Sequence, residues 1–598
     1  LGWHMKRKYN KEQTLIIVLG VLVLIGFLAG PAAGSYFLRL LSLALIYLII
    51  TTGLNIVAGY AGQVSLGQAG LYAIGAYTGG ILAVKLDMSF WVCLPAAMAV
   101  AGICGFIVGI PTLRVSGHYL ALVTIGVGVI VEKLLVEWVP LTGGPGGISV
   151  PLIEMGGQPL SETQVYYLFL VICLLVLWLV KNIMKSPVGR AFSAIRDNEI
   201  AAGCMGINIM GYKLMAFVLS AVLAGLAGCL YTFLSSYISP DTFTFNLSVF
   251  FLLTIIIGGQ GTMAGPIIGT LLLTILPEYL QALEQYRLIV YGLLMIVVVI
   301  GLPYGISGAI IRKFPKLIEE QKPEKIEADP IVDKQKSNEN NTLLVLENVT
   351  KRFGGLNAIQ NMSLTVKKGS VHSLIGPNGA GKSTMINIIT GVYKPNEGRV
   401  VFNGQEINNI KPYKIALAGI SRTFQSVQVF GKISVLENIM VGHHGQYRSN
   451  LFDYTFKSGR GRKEEKLTRE RAWALLKMVG LEDRASEFAD SLSAGQQRFL
   501  EIARALAMEP DLLLLDEPAA GLNEVEIRYL AHIIEQIKSK GITILLIEHH
   551  IDFVMDISDS ITVLNFGKKL AEGTPMEIQG NQEVIEAYLG KNEVVEAC

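Results

Sequence analysis

The first half of the chain is a succession of long apolar runs separated by Gly, Pro and short polar turns, and this limits its folding more than any other feature. A bilayer core takes about 20 apolar residues per helix, and runs near 15–30, 36–57, 66–84, 90–110, 118–138, 163–181, 213–236, 247–258, 266–283 and 287–303 reach or approach that length. The spacing predicts a polytopic α-helical membrane domain over residues 1–311, with about ten spans. Lys6, Arg7, Lys8 and Lys11 precede the first run, and an even count returns the chain to the same side. The positive-inside bias therefore puts both ends, and the loops carrying Arg114 and Lys181 to Lys213, in the cytoplasm. Met5 is a candidate natural start, with Leu1–His4 a foreign leader.

Hydrophobic residues make up 51% of the 598 residues and charged ones 16%, and the excess sits in this first half. A net charge of +2, with basic residues dispersed or beside apolar runs, argues against a nucleic-acid partner. The six cysteines lie mostly inside apolar runs with no metal-ligand spacing, and read as small buried hydrophobes.

Two glycine-rich breaks interrupt the apolar pattern, one from Gly59 to Gln68 and one from Gly258 to Thr262, with Gly265 and Pro266 close behind. Such breaks suit re-entrant half-helices lining a path, and equally suit close packing through small residues. Lys133 and Glu137 stand four residues apart, a spacing that permits an ion pair, while their depth favours snorkelling to the interface. The polar stretch 186–202 has no helix breaker after Pro187 and predicts one cytoplasmic helix, on which Phe192, Ile195 and Glu199 share a face.

Charged and proline-marked sequence over residues 312–342 reads as a cytoplasmic linker, and from 343 to 598 strands and helices alternate as in an α/β domain. Gly376-Pro377-Asn378-Gly379-Ala380-Gly381-Lys382-Ser383, followed by Thr384, fits the phosphate-binding pattern G-x-x-x-x-G-K-S between an apolar strand and a helix. Its backbone N–H groups would cradle the phosphates of ATP, with Lys382 on the β- and γ-phosphates and the Ser383 hydroxyl on Mg2+. The apolar strand Leu512 to Leu515 ends in Asp516 and Glu517, a pairing in which the first supports the metal and the second polarises an attacking water.

Leu492-Ser493-Ala494-Gly495-Gln496, just ahead of a helix, resembles the signature sequence of ATP-binding cassette proteins. Gln425 resembles their glutamine loop, with a magnesium contact implied, and His549 after Glu548 resembles their switch histidine. Phe353 stands where the family stacks an aromatic on adenine. Asn523 replaces a more usual aspartate. The resemblance implies that two such domains meet head to tail, with Ser493, Ala494, Gly495 and Gln496 closing on ATP held by the other.

The membrane half is similar to the permease subunit of the branched-chain amino acid uptake systems over Gly59 to Gly70, Arg114 to Thr124, Thr142 to Ile148, Gly189 to Ala202 and Ser239 to Phe245. The second half is similar to an ATP-binding subunit of the same systems. Val129 stands where the family frequently has Glu. The resemblance implies ATP-driven import and a coupling helix near 187–203 carrying Arg190, Phe192, Ile195, Arg196 and Glu199. It implies an extracytoplasmic solute-binding protein, a second permease and a second ATP-binding subunit, or a second copy of this chain. Leu, Ile and Val are the leading solutes; urea, short amides and aromatic acids are carried by relatives. An ATP-gated channel is the alternative from a different class.

Overall fold

The computed structural model describes residues 34–112, 117–279, 286–313, 329–334 and 342–589. The chain divides into a unit of Leu1–Arg196, Met210–Glu319 and Tyr454–Lys457 and a unit of Asp197–Ile209, Glu320–Asp453 and Ser458–Cys598. The first apolar run, Arg114 and Cys598 lie outside the described residues.

The first unit is helical. Its helices are α1 (Ser35–Leu54), α2 (Gln68–Lys85), α3 (Phe90–Thr112), α4 (His118–Glu137), α5 (Glu162–Met184), α6 (Pro187–Asp197) and, beyond the second unit's segment, α8 (Ile209–Ser235), α9 (Phe245–Gly258), α10 (Ala264–Tyr279), α11 (Arg287–Gly301) and α12 (Gly305–Lys313), with α7 (Glu199–Cys204) in the second unit. Nine of the ten apolar runs thus coincide with helices. Among the described residues six segments are long and apolar enough to cross a membrane: Ser35–Tyr60, Phe90–Thr112, Tyr119–Glu137, Glu162–Met184, Ile209–Ser235 and Pro240–Gly258. Without a hydrophobic force between helices in lipid, small residues bring backbones together. A Cβ on Gly75 of α2 would lie 2.4 Å from the Gly225 Cα of α8.

The two glycine-rich breaks, remote in sequence, meet. After α1 the backbone widens into a π-helical turn, Asn55–Tyr60. Asn55 Nδ2 donates to the Thr262 carbonyl at 2.9 Å and Asn55 Oδ1 accepts from the Gly261 N–H at 2.9 Å. Protein groups therefore satisfy backbone that the second break leaves unbonded, and a Cβ on Gly258 would sit 1.9 Å from the Gly265 carbonyl oxygen.

One local expectation is corrected. The stretch 186–202 is two helices, because Asn198 adopts an extended conformation and caps α7 by accepting from the Ala201 N–H. Its amide competes with the helix for backbone partners, the usual reason asparagine stands at helix starts. Phe192 and Ile195 are buried, Phe192 meeting the Tyr212 ring edge-on at 6.0 Å. Lys133, its side chain exposed, lies 3.6 Å from Glu132.

The second unit is built on a six-stranded sheet. Its strands, in chain order, are β1 (Thr342–Phe353), β2 (Leu356–Lys367), β3 (Val371–Ile375), β4 (Glu397–Phe402), β5 (Gln405–Glu406), β6 (Ile420–Arg422), β7 (Leu512–Asp516), β8 (Thr543–Ile547), β9 (Ser560–Asn565) and β10 (Lys568–Gly573). The order β6-β7-β8-β3-β9-β10 is parallel except for the final pair, and β2-β1-β4-β5 forms an antiparallel sheet. Strands β3, β7 and β8 are buried throughout, as strands covered on both faces must be. The pairings Asp516 with Ile547 and Ile547 with Leu374 bring the carboxyl ends of β7, β8 and β3 level, where an open parallel sheet places its ligands.

Part of the sequence read as linker belongs to this unit. Ile331 is buried in its core, Lys540 Nζ donates to Asp329 Oδ2 at 2.6 Å, and Lys334 Nζ bonds the Glu509 carbonyl at 2.7 Å and the Asp511 carboxylate.

Candidate functional site: a nucleotide pocket at the sheet edge

Between β3 and α13 (Lys382–Ile389) the loop from Gly376 to Gly381 takes a path open only to glycine at two points. Gly376 has φ 151°, with a Cβ position 2.1 Å from the Leu564 carbonyl oxygen, and Gly381 has φ 102°, with a Cβ position 2.6 Å from that of Ala358. Lys382 Nζ folds back to donate to the carbonyls of Gly376, at 2.6 Å, and Pro377, at 3.0 Å, which braces the loop. Burial lowers the Lys382 pKa, opposed by the charges of Glu517 and Asp516.

The loop opens on a cavity of about 600 Å³ whose lining includes Phe353, Lys382, Ser383, Gln425, Glu517 and His549. Asn378, Gly379, Ala380, Gly381 and Thr384 line it as well, so most of the residues singled out for ATP converge. Glu517 follows β7 in the left-handed region, φ 49°, a strained setting for a residue with a Cβ, and its N–H is tied to the Ile547 carbonyl at 2.8 Å. One carboxylate oxygen, Glu517 Oε1, lies 3.1 Å from Gln425 Nε2 and 3.0 Å from His549 Nε2. With the imidazole proton on Nε2 both groups donate to that oxygen, which fixes the carboxylate. A carboxylate held in this way can orient and polarise a water.

Asp516 is buried at the end of β7, and Arg422 Nη2 lies 3.7 Å from its Oδ2. Burial pushes its carboxyl up to about 6 against the pull of Arg422. Its Oδ1 is buried without a hydrogen-bond partner. An unused carboxylate oxygen, beside a cavity lined by Ser383 and Gln425, fits the all-oxygen donor set that magnesium prefers.

Ser493, Ala494, Gly495 and Gln496 do not line this cavity. After α14 (Pro412–Leu417), Ser493 caps α15 (Ala494–Leu506), its hydroxyl accepting from the Gln496 N–H while the Gln496 side chain accepts from the Ser493 N–H. Asn523 caps α16 (Glu524–Ser539), its Oδ1 accepting from the N–H groups of Val525 and Glu526, a role aspartate fills equally well. Within this unit Asn198 Nδ2 donates to Gln428 Oε1 at 2.5 Å, and Asp197 Oδ2 accepts from the Lys432 N–H at 3.0 Å. The segment that begins at Asp197 is thus seated on the loop carrying Gln425. Glu199 starts α7, whereas Arg190, Phe192, Ile195 and Arg196 belong to the first unit.

The sequence reading missed Leu356, Asn357, Ala358, Gln360 and Phe566 in the cavity wall. Phe566 is 80% exposed at the turn between β9 and β10, on the opposite strand pair from Phe353. Its signal was an aromatic left in the open beside the turn glycine Gly567.

A phosphate loop, a paired carboxylate strand end and a capped signature helix, following a bundle of apolar helices in one chain, define an ATP-binding cassette transporter. Residues 36–299 match the family model "Branched-chain amino acid transport system / permease component", 359–520 match "ABC transporter", and 568–594 match "Branched-chain amino acid ATP-binding cassette transporter". The chain is 43% identical over 250 residues to the high-affinity branched-chain amino acid transport ATP-binding protein LivG of Salmonella typhimurium, covering 42% of this chain and 98% of LivG. It is 44% identical over 250 residues to the corresponding protein BraF of Pseudomonas aeruginosa, with the same coverage. It is also 37% identical over 290 residues to the permease protein LivM of Escherichia coli, covering 44% of this chain and 68% of LivM. The chain belongs to the branched-chain amino acid family of ATP-binding cassette transporters, with permease and ATP-binding parts joined in one polypeptide.

Proposed function

We propose that this chain powers the import of branched-chain amino acids, or of a closely related small solute, by ATP hydrolysis. The observation that carries the reading is that one polypeptide matches both the permease and the ATP-binding components of such systems while its cavity gathers Lys382, Gln425, Glu517 and His549. In this reading the N–H groups of Asn378 to Ser383 bind the phosphates, Lys382 adds its charge, and Phe353 and Phe566 flank the base. Glu517, oriented by Gln425 and His549, takes the proton of the attacking water. Ser383, Gln425 and Asp516 hold Mg2+, which when bound neutralises charge on the phosphates.

The signature residues Ser493 to Gln496 serve nucleotide held by a second cassette, supplied by another subunit or a second copy of this chain. A second permease and an extracytoplasmic binding protein complete the assembly, in the inner membrane with the nucleotide unit in the cytoplasm. Asp197 and Asn198, seated on the Gln425 loop, join that loop to the chain emerging from α6. The test is ATPase activity of the reconstituted complex with its binding protein loaded in turn with Leu, Val, urea or an aromatic acid. Stimulation by loaded Leu or Val supports the reading, and stimulation by urea alone reassigns the solute.

A further inference from the structure

Helix α15 carries a second set of residues, away from its capped start. Arg498, Glu501 and Arg504 recur every third position and are all buried, the last two completely. Interior charges are costly unless geometry and hydrogen bonds compensate, so stability alone is a weak reason for such a trio. Arg498 and Arg504 each lie 3.6 Å from Glu501, and the Arg504 guanidinium sits 4.5 Å above the Phe430 ring. The hydrogen bonds of Arg498 and Glu501 converge on one loop. Arg498 Nη1 donates to the Phe424 carbonyl at 2.6 Å, Arg498 Nη2 donates to the Gln425 carbonyl at 2.9 Å, and Glu501 Oε1 accepts from the Gln428 N–H at 3.2 Å.

We propose that Arg498 and Glu501 are positioning residues for Gln425, fixing the backbone at and around it so that its amide meets Glu517. The inference rests on the hydrolytic reading of Gln425 and Glu517. The planar guanidinium suits the task because its rigid fork sends separate nitrogens, Nη1 and Nη2, to two successive carbonyls in one fixed geometry, whereas an ammonium is a single nitrogen on a flexible stem. The same helix starts at Ser493. The structural element that meets the other cassette's nucleotide therefore also grips the glutamine of this chain's own site. Movement of α15 at one site displaces Gln425 at the other.

The test uses the complete reconstituted complex with Arg498→Lys, Gln425→Ala and the double variant. Nucleotide affinity is measured with a fluorescent ATP analogue alongside steady-state kinetics. Arg498→Lys is expected to lower kcat on the order of tenfold, with KM for ATP and analogue affinity within about twofold of wild type. The double variant is expected to be no slower than Gln425→Ala alone, since both changes disable one device. Glu501→Leu, which removes the acceptor of the Gln428 N–H and is expected to lower kcat in the same way, carries the test should Arg498→Lys fail to assemble. An active wild type with unchanged kcat in these variants, or multiplicative losses in the double variant, overturns this inference alone. A wild type without ATPase activity overturns the hydrolytic reading as well.

Discussion

Arg196, the penultimate residue of α6, donates through Nη1 to the carbonyl of Gly59 at 3.0 Å, and so ties the helix end to the point where the two glycine-rich breaks meet. The approach is too close for side chains: a Cβ on Gly59 would lie 2.5 Å from the Gly261 nitrogen, and one on Gly261 would lie 2.6 Å from Arg196 Nη1. Any displacement of α6 therefore pulls directly on both breaks.

Reversing the charge in Arg196→Glu removes this bond and sets a carboxylate against a carbonyl. Losing a charged-donor hydrogen bond, worth about 1.5–3 kcal/mol to the native arrangement, is expected to lower the solute moved per ATP hydrolysed several-fold, with basal hydrolysis retained. Parallel uptake and ATPase assays on the same proteoliposomes measure the ratio. A ratio equal to wild type contradicts the role given to Arg196.

Glu517→Gln keeps the shape of the side chain but removes the carboxylate proposed as the base. ATP binding is expected to persist while steady-state hydrolysis falls by on the order of 10²-fold or more. Normal turnover in the purified, properly paired variant excludes Glu517 as the base.

His372, buried in β3 between Ser560 and Thr562, makes stability depend on pH. Burial pushes its pKa down to about 4 from an ordinary 6.5, with Glu572 raising it and Lys569 lowering it less strongly. The unfolded chain thus binds the proton more readily than the folded one. This contribution is fully present above pH 6.5 and is lost as pH falls toward 4, by about 2 kcal/mol at pH 5. Thermal unfolding of the purified chain between pH 7 and 5 measures the loss, and His372→Gln is expected to flatten it. An equal pH slope in the variant assigns the effect elsewhere.

Ile331 connects the intervening segment to the nucleotide unit. Ile331→Ala is expected to destabilise that unit by about 2–4 kcal/mol, the usual cost of emptying a buried isoleucine site. A denaturation midpoint unchanged from wild type means that the segment is a passive tether.

Features set by local chemistry were legible in the sequence. The apolar runs from residue 36 onward declare helices by length, and the glycines at 376 and 381 declare a loop that no other residue tolerates. Features set by distant partners were not. Nothing near Arg196 points to Gly59, 137 positions away, and Arg498 and Glu501 read as ordinary helix residues until the Phe424 to Gln428 loop folds against them. Ile331 and Val332 are one short apolar pair among charges and proline, so the segment reads as unfolded until Lys540 and Asp511 hold its flanks. Asn198 interrupts a helical pattern by capping, a competition that periodicity does not register.

The central claim, that this chain drives uphill import, is tested most directly by leucine accumulation in proteoliposomes reconstituted with the partner subunits and binding protein, with ATP supplied to the nucleotide units. The account predicts accumulation above the external concentration that requires ATP and disappears in Glu517→Gln. Solute that only equilibrates across the membrane, with or without ATP, would contradict it and identify a passive pore.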